Sequence, residues 1–118
     1  MGYDAFLAAM VELSQTSVLA NRLRTQGHAE RPNWRKLPLP PAEEQRRRFA
    51  SSLTAEQRNM IARLLLEERL GAVHGVLAWL EWAKTFEDLA LRDGEEDFGH
   101  ACRETFHGDF IAQLPEEG

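Results

Sequence analysis

His100, Cys102 and His107 form the one Cys/His cluster of the chain, in the run HACRETFH. Zinc asks for three or four nitrogen or sulfur ligands in tetrahedral reach, and structural sites usually draw them from pairs at CxxC or HxxxH spacing. This run supplies three candidates without such a pair, so Glu104 or Asp109 would have to complete the set. The plainer account, two surface histidines beside a half-buried thiol, is preferred. His74 stands between Val73 and Gly75 in the most apolar part of the chain. To act as a base it would need a carboxylate to orient it and a nucleophile or substrate pocket nearby. Glu81, seven residues on, is the nearest acid downstream. A satisfied core or interface histidine is the favoured reading. No nucleophile elbow, phosphate loop, Rossmann glycine set or HExxH occurs. The residues therefore lean away from an enzyme and imply no cofactor. The alternative is a small metal-dependent or His-based enzyme using His74 or His100, Cys102 and His107.

The element that must organise any such site is the block from Leu53 to Ala83, LTAEQRNMIARLLLEERLGAVHGVLAWLEWA. Thr54 with Gln57 fits a capping box. Ile61, Leu64 and Leu65 begin an apolar stripe that Leu66, Leu70, Val73, Leu77 and Leu80 continue at spacings of three and four, one buried helical face. Gly71 and Gly75 interrupt it, each costing about 1 kcal/mol relative to alanine in a helix interior. Something should compensate: either the helix breaks, or the glycines make a flat face for a close neighbour. A turn near Leu70 to Ala72 is the expectation, giving two helices. Trp79 and Trp82 either fill the core, the preferred role, or anchor an interface.

Upstream, Asp4 is the expected N-cap of a helix carrying Phe6, Leu7, Met10, Val11, Leu13, Val18 and Leu23, with a break available at Ser14 to Ser17 and Gly27 as its stop. His28 to Pro41 holds four prolines and reads as a connector pinned by Trp34 and Leu37, with an SH3-type ligand as the lesser alternative. Pro41 to Ser52 reads as a short helix, with proline at its start, Glu43 and Glu44 in the first turn, and Arg46 to Arg48 in the last. The pairs Glu43–Arg47 and Glu44–Arg48 account for the arginine run without invoking phosphate. Downstream, LALRDGEED carries a hairpin signal with Asp93-Gly94 as the turn, against a helix continuing to Arg92. Phe106, Phe110, Ala112 and Leu114 fall at even intervals, which predicts a further β element. The last residues, PEEG, read as a frayed tail.

With 118 residues, 28% of them charged and a net charge of −5, the composition is that of one ordinary helix-rich domain and points away from nucleic acid. Charge is segregated: Arg22 to Arg48 holds eight basic residues against three acids, while the chain from Phe49 holds six against fourteen. Such an asymmetry suits oppositely charged faces that meet within the fold or between subunits. A single cysteine fits a reducing compartment. MGYDAF lacks a secretory signal's features, and no apolar run reaches the roughly 20 residues of a membrane span. Phe6 stands where a myristoylation signal wants Ser or Thr. A cytoplasmic location is expected.

The run SLTAEQRNMIARLLLEE followed by GAVHGVLAWL resembles a family of short uncharacterised bacterial proteins, over Leu53 to Leu80. The resemblance implies bacterial homologues without an assigned activity, and no site residues to carry over.

Together these readings predict a small α+β domain over 1–118, with four or five helices and a C-terminal hairpin or meander. The connector spans 28–41 and the tail 115–118. Its core would hold Phe6, Met10, Ile61, Leu65, Leu70, Val73, Leu77 and Leu80. An all-α bundle is the alternative, decided by whether Leu89 to Asp97 is helical. In function the leading expectation is a non-catalytic interaction module, a homo-oligomer or another protein's partner. Its candidate interface residues are Gly71, Gly75, Ala78, Trp79 and Trp82, unless that face packs against the first helix of the same chain.

Overall fold

The computed structural model describes residues 1–26 and 40–115. Among them are six helices and one two-stranded antiparallel hairpin: α1 (Tyr3–Gln15), α2 (Val18–Gln26), α3 (Pro41–Ser52), α4 (Ala55–Phe86), β1 (Arg92–Asp93), β2 (Glu96–Asp97), α5 (Phe98–Ala101) and α6 (Phe106–Gln113). The fold is α+β and dominated by helix, as the sequence predicts, with one helix more than expected. Residues 28–39 of the proline-rich connector, with Trp34 and Leu37, and residues 116–118 of the tail lie outside the described residues.

The chain forms two compact units, Met1–Gln15 with Glu68–Gly118, and Thr16–Glu67. In the second unit, Ser17 opens α2 by accepting a hydrogen bond from the Ala20 amide at 3.1 Å. This side-chain cap explains why a new helix starts just past the Ser14 to Ser17 stretch. Pro41 begins α3, where its missing N–H costs nothing, and Arg48 donates to Glu44 at 2.6 Å. The capping box forms in both directions: the Gln57 amide donates to Thr54 Oγ1 at 3.1 Å, and the Thr54 amide to Gln57 Oε1 at 2.9 Å. Ala20, Leu23, Ala50 and Ala62 are buried, with Ile61, Leu65 and Leu66 packed on them.

The first unit is built on Tyr3, Leu7, Leu77, Phe98, Phe106 and Phe110. Phe6, Met10, Leu70, Val73 and Leu80, all expected core residues, pack against this cluster. Four expectations are corrected here. Asp4 lies in the first turn of α1, which begins at Tyr3, so it complements the helix dipole instead of capping. α4 runs unbroken through Gly71 and Gly75. The roughly 1 kcal/mol that each glycine costs is small beside the burial of Leu77 and the packing of Leu70, Val73 and Leu80. The hairpin pairs Arg92 with Asp97 and Asp93 with Glu96, so its loop is Gly94-Glu95, one residue later than the Asp93-Gly94 turn read from sequence. Gly94 has φ +62°, the left-handed backbone that the first loop position of a II′ turn reserves for glycine. Finally, Phe106 to Leu114 is helix, not strand. A spacing of four, as in Phe106, Phe110 and Leu114, satisfies both periods; the cap decides. Thr105 Oγ1 accepts from the Gly108 amide at 2.9 Å, and Ile111, which spoils the alternation, lies on the exposed side of α6.

Candidate interaction face

The last four turns of α4 are amphipathic in an unusual sense, because their exposed side is also apolar. At about 100° per residue, Leu70, Val73, Leu77 and Leu80 point one way into the core. On the other side Val76 is 60% exposed, Trp79 59%, Trp82 47% and Phe86 70%. The Trp82 and Phe86 rings touch one another, centroids 5.9 Å apart. Every exposed position from Gly71 to Phe86 is Gly, Ala, Val, Trp, Thr or Phe. The two charged residues of this stretch, Glu81 and Lys84, are half-buried and paired at 2.7 Å. Contiguous exposed apolar patches on helices mark interaction sites far more often than scattered single residues do.

Among the described residues the glycines have no compensating neighbour. A Cβ built on Gly71 or Gly75 meets no described atom within 4 Å. Both are exposed, Ala78 is half-buried, and Trp79 and Trp82 are exposed. The preferred core role of the two tryptophans is therefore corrected: Trp79 is exposed over more than half of its surface and Trp82 over nearly half. Val76 and Phe86 were missed as members of this face. Phe86 was legible as the next step of the Trp79, Trp82 spacing; Val76 was not, since valine is as much at home in a core.

The candidate chemical residues are dispersed. His100 is exposed on α5. His107 stands edge-on against His74, ring centroids 5.3 Å apart, and its buried Nδ1 has no hydrogen-bond partner among the described residues. Glu81 does not orient His74. Its Oε2 accepts from the Phe106 amide at 3.1 Å while its other oxygen holds Lys84, whose ammonium lies 4.6 Å over the Phe106 ring. Cys102 belongs to a different group. Burial pushes its thiol up, Asp109 adds to this and Tyr3 opposes it, so the balance runs opposite to what a nucleophilic thiolate requires. Among the described residues no three His, Cys, Asp or Glu side chains converge as a metal site demands.

The polar centre of the first unit is Asp109, which sequence reasoning considered only as a spare ligand. It is buried, and accepts from the Tyr3 hydroxyl at 2.6 Å, the Arg103 amide at 2.9 Å and the Glu104 amide at 3.2 Å. Burial raises its carboxyl, but the donors, Tyr3 first, outweigh it and hold the group below the ordinary aspartate range. Burial, with the Asp109 hydrogen bond second, pushes the Tyr3 phenol well above its usual value. The arrangement ties the first turn of α1 to α6 and to the loop before it. Its described donors are a phenol hydroxyl and two backbone amides, groups that hold the fold together here.

Residues 1–117 match a family of unknown function, DUF6547. The chain belongs to that family. No curated protein and no solved structure matches the chain. Family membership thus agrees with the resemblance to uncharacterised proteins and assigns no activity. No helix among the described residues is long and apolar enough to cross a membrane.

Proposed function

We propose that this chain is a non-catalytic protein-interaction module of the bacterial cytoplasm, and that it docks through the outward face of α4. The observation that carries the reading is the stripe of Val76, Trp79, Trp82 and Phe86, solvent-facing on a helix whose opposite side already fills a core. Trp is the residue most enriched among interface hot spots, and a stripe of this kind on a rigid helix supplies binding area with little conformational entropy to lose. Gly71 and Gly75 support the reading: they weaken the helix and accommodate no described neighbour, while beside them a partner's side chains can approach the backbone closely.

A photo-activatable amino acid at position 79, irradiated in the cells that naturally make the chain, tests this. The expected result is a discrete covalent adduct to a protein, absent when the same group is placed at the exposed Gln45 of α3. The same absence of adduct at both positions would overturn the proposal.

A further inference from the structure

We infer that the mate of this face is a second copy of the chain, docked antiparallel about a two-fold axis that passes between Ala78 and Trp79. The inference rests on the reading of the face as an interaction surface and adds its occupant and register. It starts from a palindrome of side-chain size. Gly71, Gly75 and Ala78 are separated by four and three; Trp79, Trp82 and Phe86 follow with three and four. At about 100° per residue all six lie within an arc of roughly 100° on one side of α4. When one copy is turned over against another, Gly75 faces Trp82, Gly71 faces Phe86 and Ala78 faces Trp79, and the two-fold repeats each pairing. Large side chains meet small ones at every position, as an isologous interface requires of a single surface. A parallel pairing would set tryptophan on tryptophan and leave glycine opposite glycine.

Electrostatics and area agree. The face carries no charged side chain at any exposed position between Gly71 and Phe86, in a chain that is 28% charged. Its partner must accept an uncharged surface about four turns long, and another copy presents one. A Trp or Phe side chain contributes about 150–250 Å² when fully buried. About half or more of each is exposed in Trp79, Trp82 and Phe86. Counting these three aromatics on both copies, together with the small residues they cover, the interface approaches the roughly 1,000 Å² lower bound for a specific one. Dimerisation also accounts for the two glycines, beside which no described atom lies within 4 Å of a built Cβ.

A size swap tests both the occupant and the register. Sedimentation equilibrium of the full chain, from about 1 to 200 µM, should show a monomer–dimer equilibrium, as suits an interface near that lower bound. Gly75→Trp sets tryptophan against tryptophan, and Trp82→Gly leaves glycine against glycine. Each should weaken the dimer at least about tenfold, the loss expected on removing a hot-spot contact. The double variant Gly75→Trp/Trp82→Gly restores large against small and should recover the parent affinity to within about threefold. Far-UV circular dichroism should match the parent in all three, since both positions are exposed. A parent that stays monomeric throughout overturns the inference, and so does a double variant no tighter than the weaker single one. A monomer that still gives a discrete adduct to a different protein from position 79 defeats the dimer and leaves the interaction reading standing. Absence of any adduct defeats both.

Discussion

Tyr3, Phe98, Phe106 and Phe110 are enclosed on all sides, while Trp79, Trp82 and Phe86, from the same compact unit, present their rings to solvent. The enclosed group interlocks at tilted angles, with Tyr3 5.7 Å from Phe98 and 6.2 Å from Phe106. The carboxylate buried beside it, Asp109, has three described donors. The exposed group has one ring contact of its own, Trp82 with Phe86. Aromatic content alone therefore does not mark a core. What separates the two is whether the helix bearing them has a second surface to cover: α6 is short and its aromatic side is used up, while α4 meets its core along one side and still carries aromatics along the other.

The comparison breaks first if the enclosed group can lose a member cheaply. Phe110→Ala should cost about 4 kcal/mol in urea unfolding, the range for a fully buried phenylalanine. Asp109→Ala should cost about 3 kcal/mol, because the Tyr3 hydroxyl and two backbone amides lose a charged acceptor in a buried place.

Acid provides a sharper probe of the same group. The Asp109 carboxyl is lowered in the folded chain, so its stabilisation is present above the ordinary aspartate value of about 4 and is lost as pH falls through the folded value. Unfolding free energy should therefore decline with falling pH below about 4, with a shallower decline in Asp109→Asn. An unchanged slope would remove Asp109 from the account.

On the exposed side the same measurements should scarcely move. Trp79→Ala and Trp82→Ala should each change monomer stability by under about 1 kcal/mol, Trp82 more because it also loses the Phe86 ring. Gly71→Ala and Gly75→Ala should stabilise the monomer by about 0.5–1 kcal/mol each, since nothing described obstructs the new methyl group. If instead they destabilise it, α4 has a close neighbour within the chain and the two regions are more alike than they look. The smallest effect concerns the turn after α4. Asp88 holds φ 59°, and the Leu89 amide returns to the Ala83 carbonyl at 3.2 Å. Asp88→Gly should raise the melting temperature slightly, by about 0.5 kcal/mol of relieved strain, which differential scanning calorimetry can resolve.

The local grammar of the chain was legible without coordinates. The Thr54–Gln57 box, the proline start of α3, the Glu44–Arg48 pair and the existence of the hairpin follow from interactions between residues a few positions apart. The buried stripe of α4 was legible for the same reason, since periodicity is a local property. Type and spacing also single out Gly71, Gly75, Ala78, Trp79 and Trp82 as candidates for an interface, and it is their degree of exposure, not their role, that the structure adds.

Tertiary structure decided what locality cannot. Whether α4 survives two glycines depends on what Leu70, Val73, Leu77 and Leu80 meet. Whether a spacing of four is strand or helix depends on Thr105 reaching the Gly108 amide and on both phenylalanines finding one core. That Tyr3 finds Asp109 across 106 positions has no local signature at all. Nor does the exposure of Trp79 and Trp82. A side chain's solvent contact is set by which other elements arrive beside it, so apolar residues at helical spacing became a core on one side of α4 and, among the described residues, an uncovered face on the other.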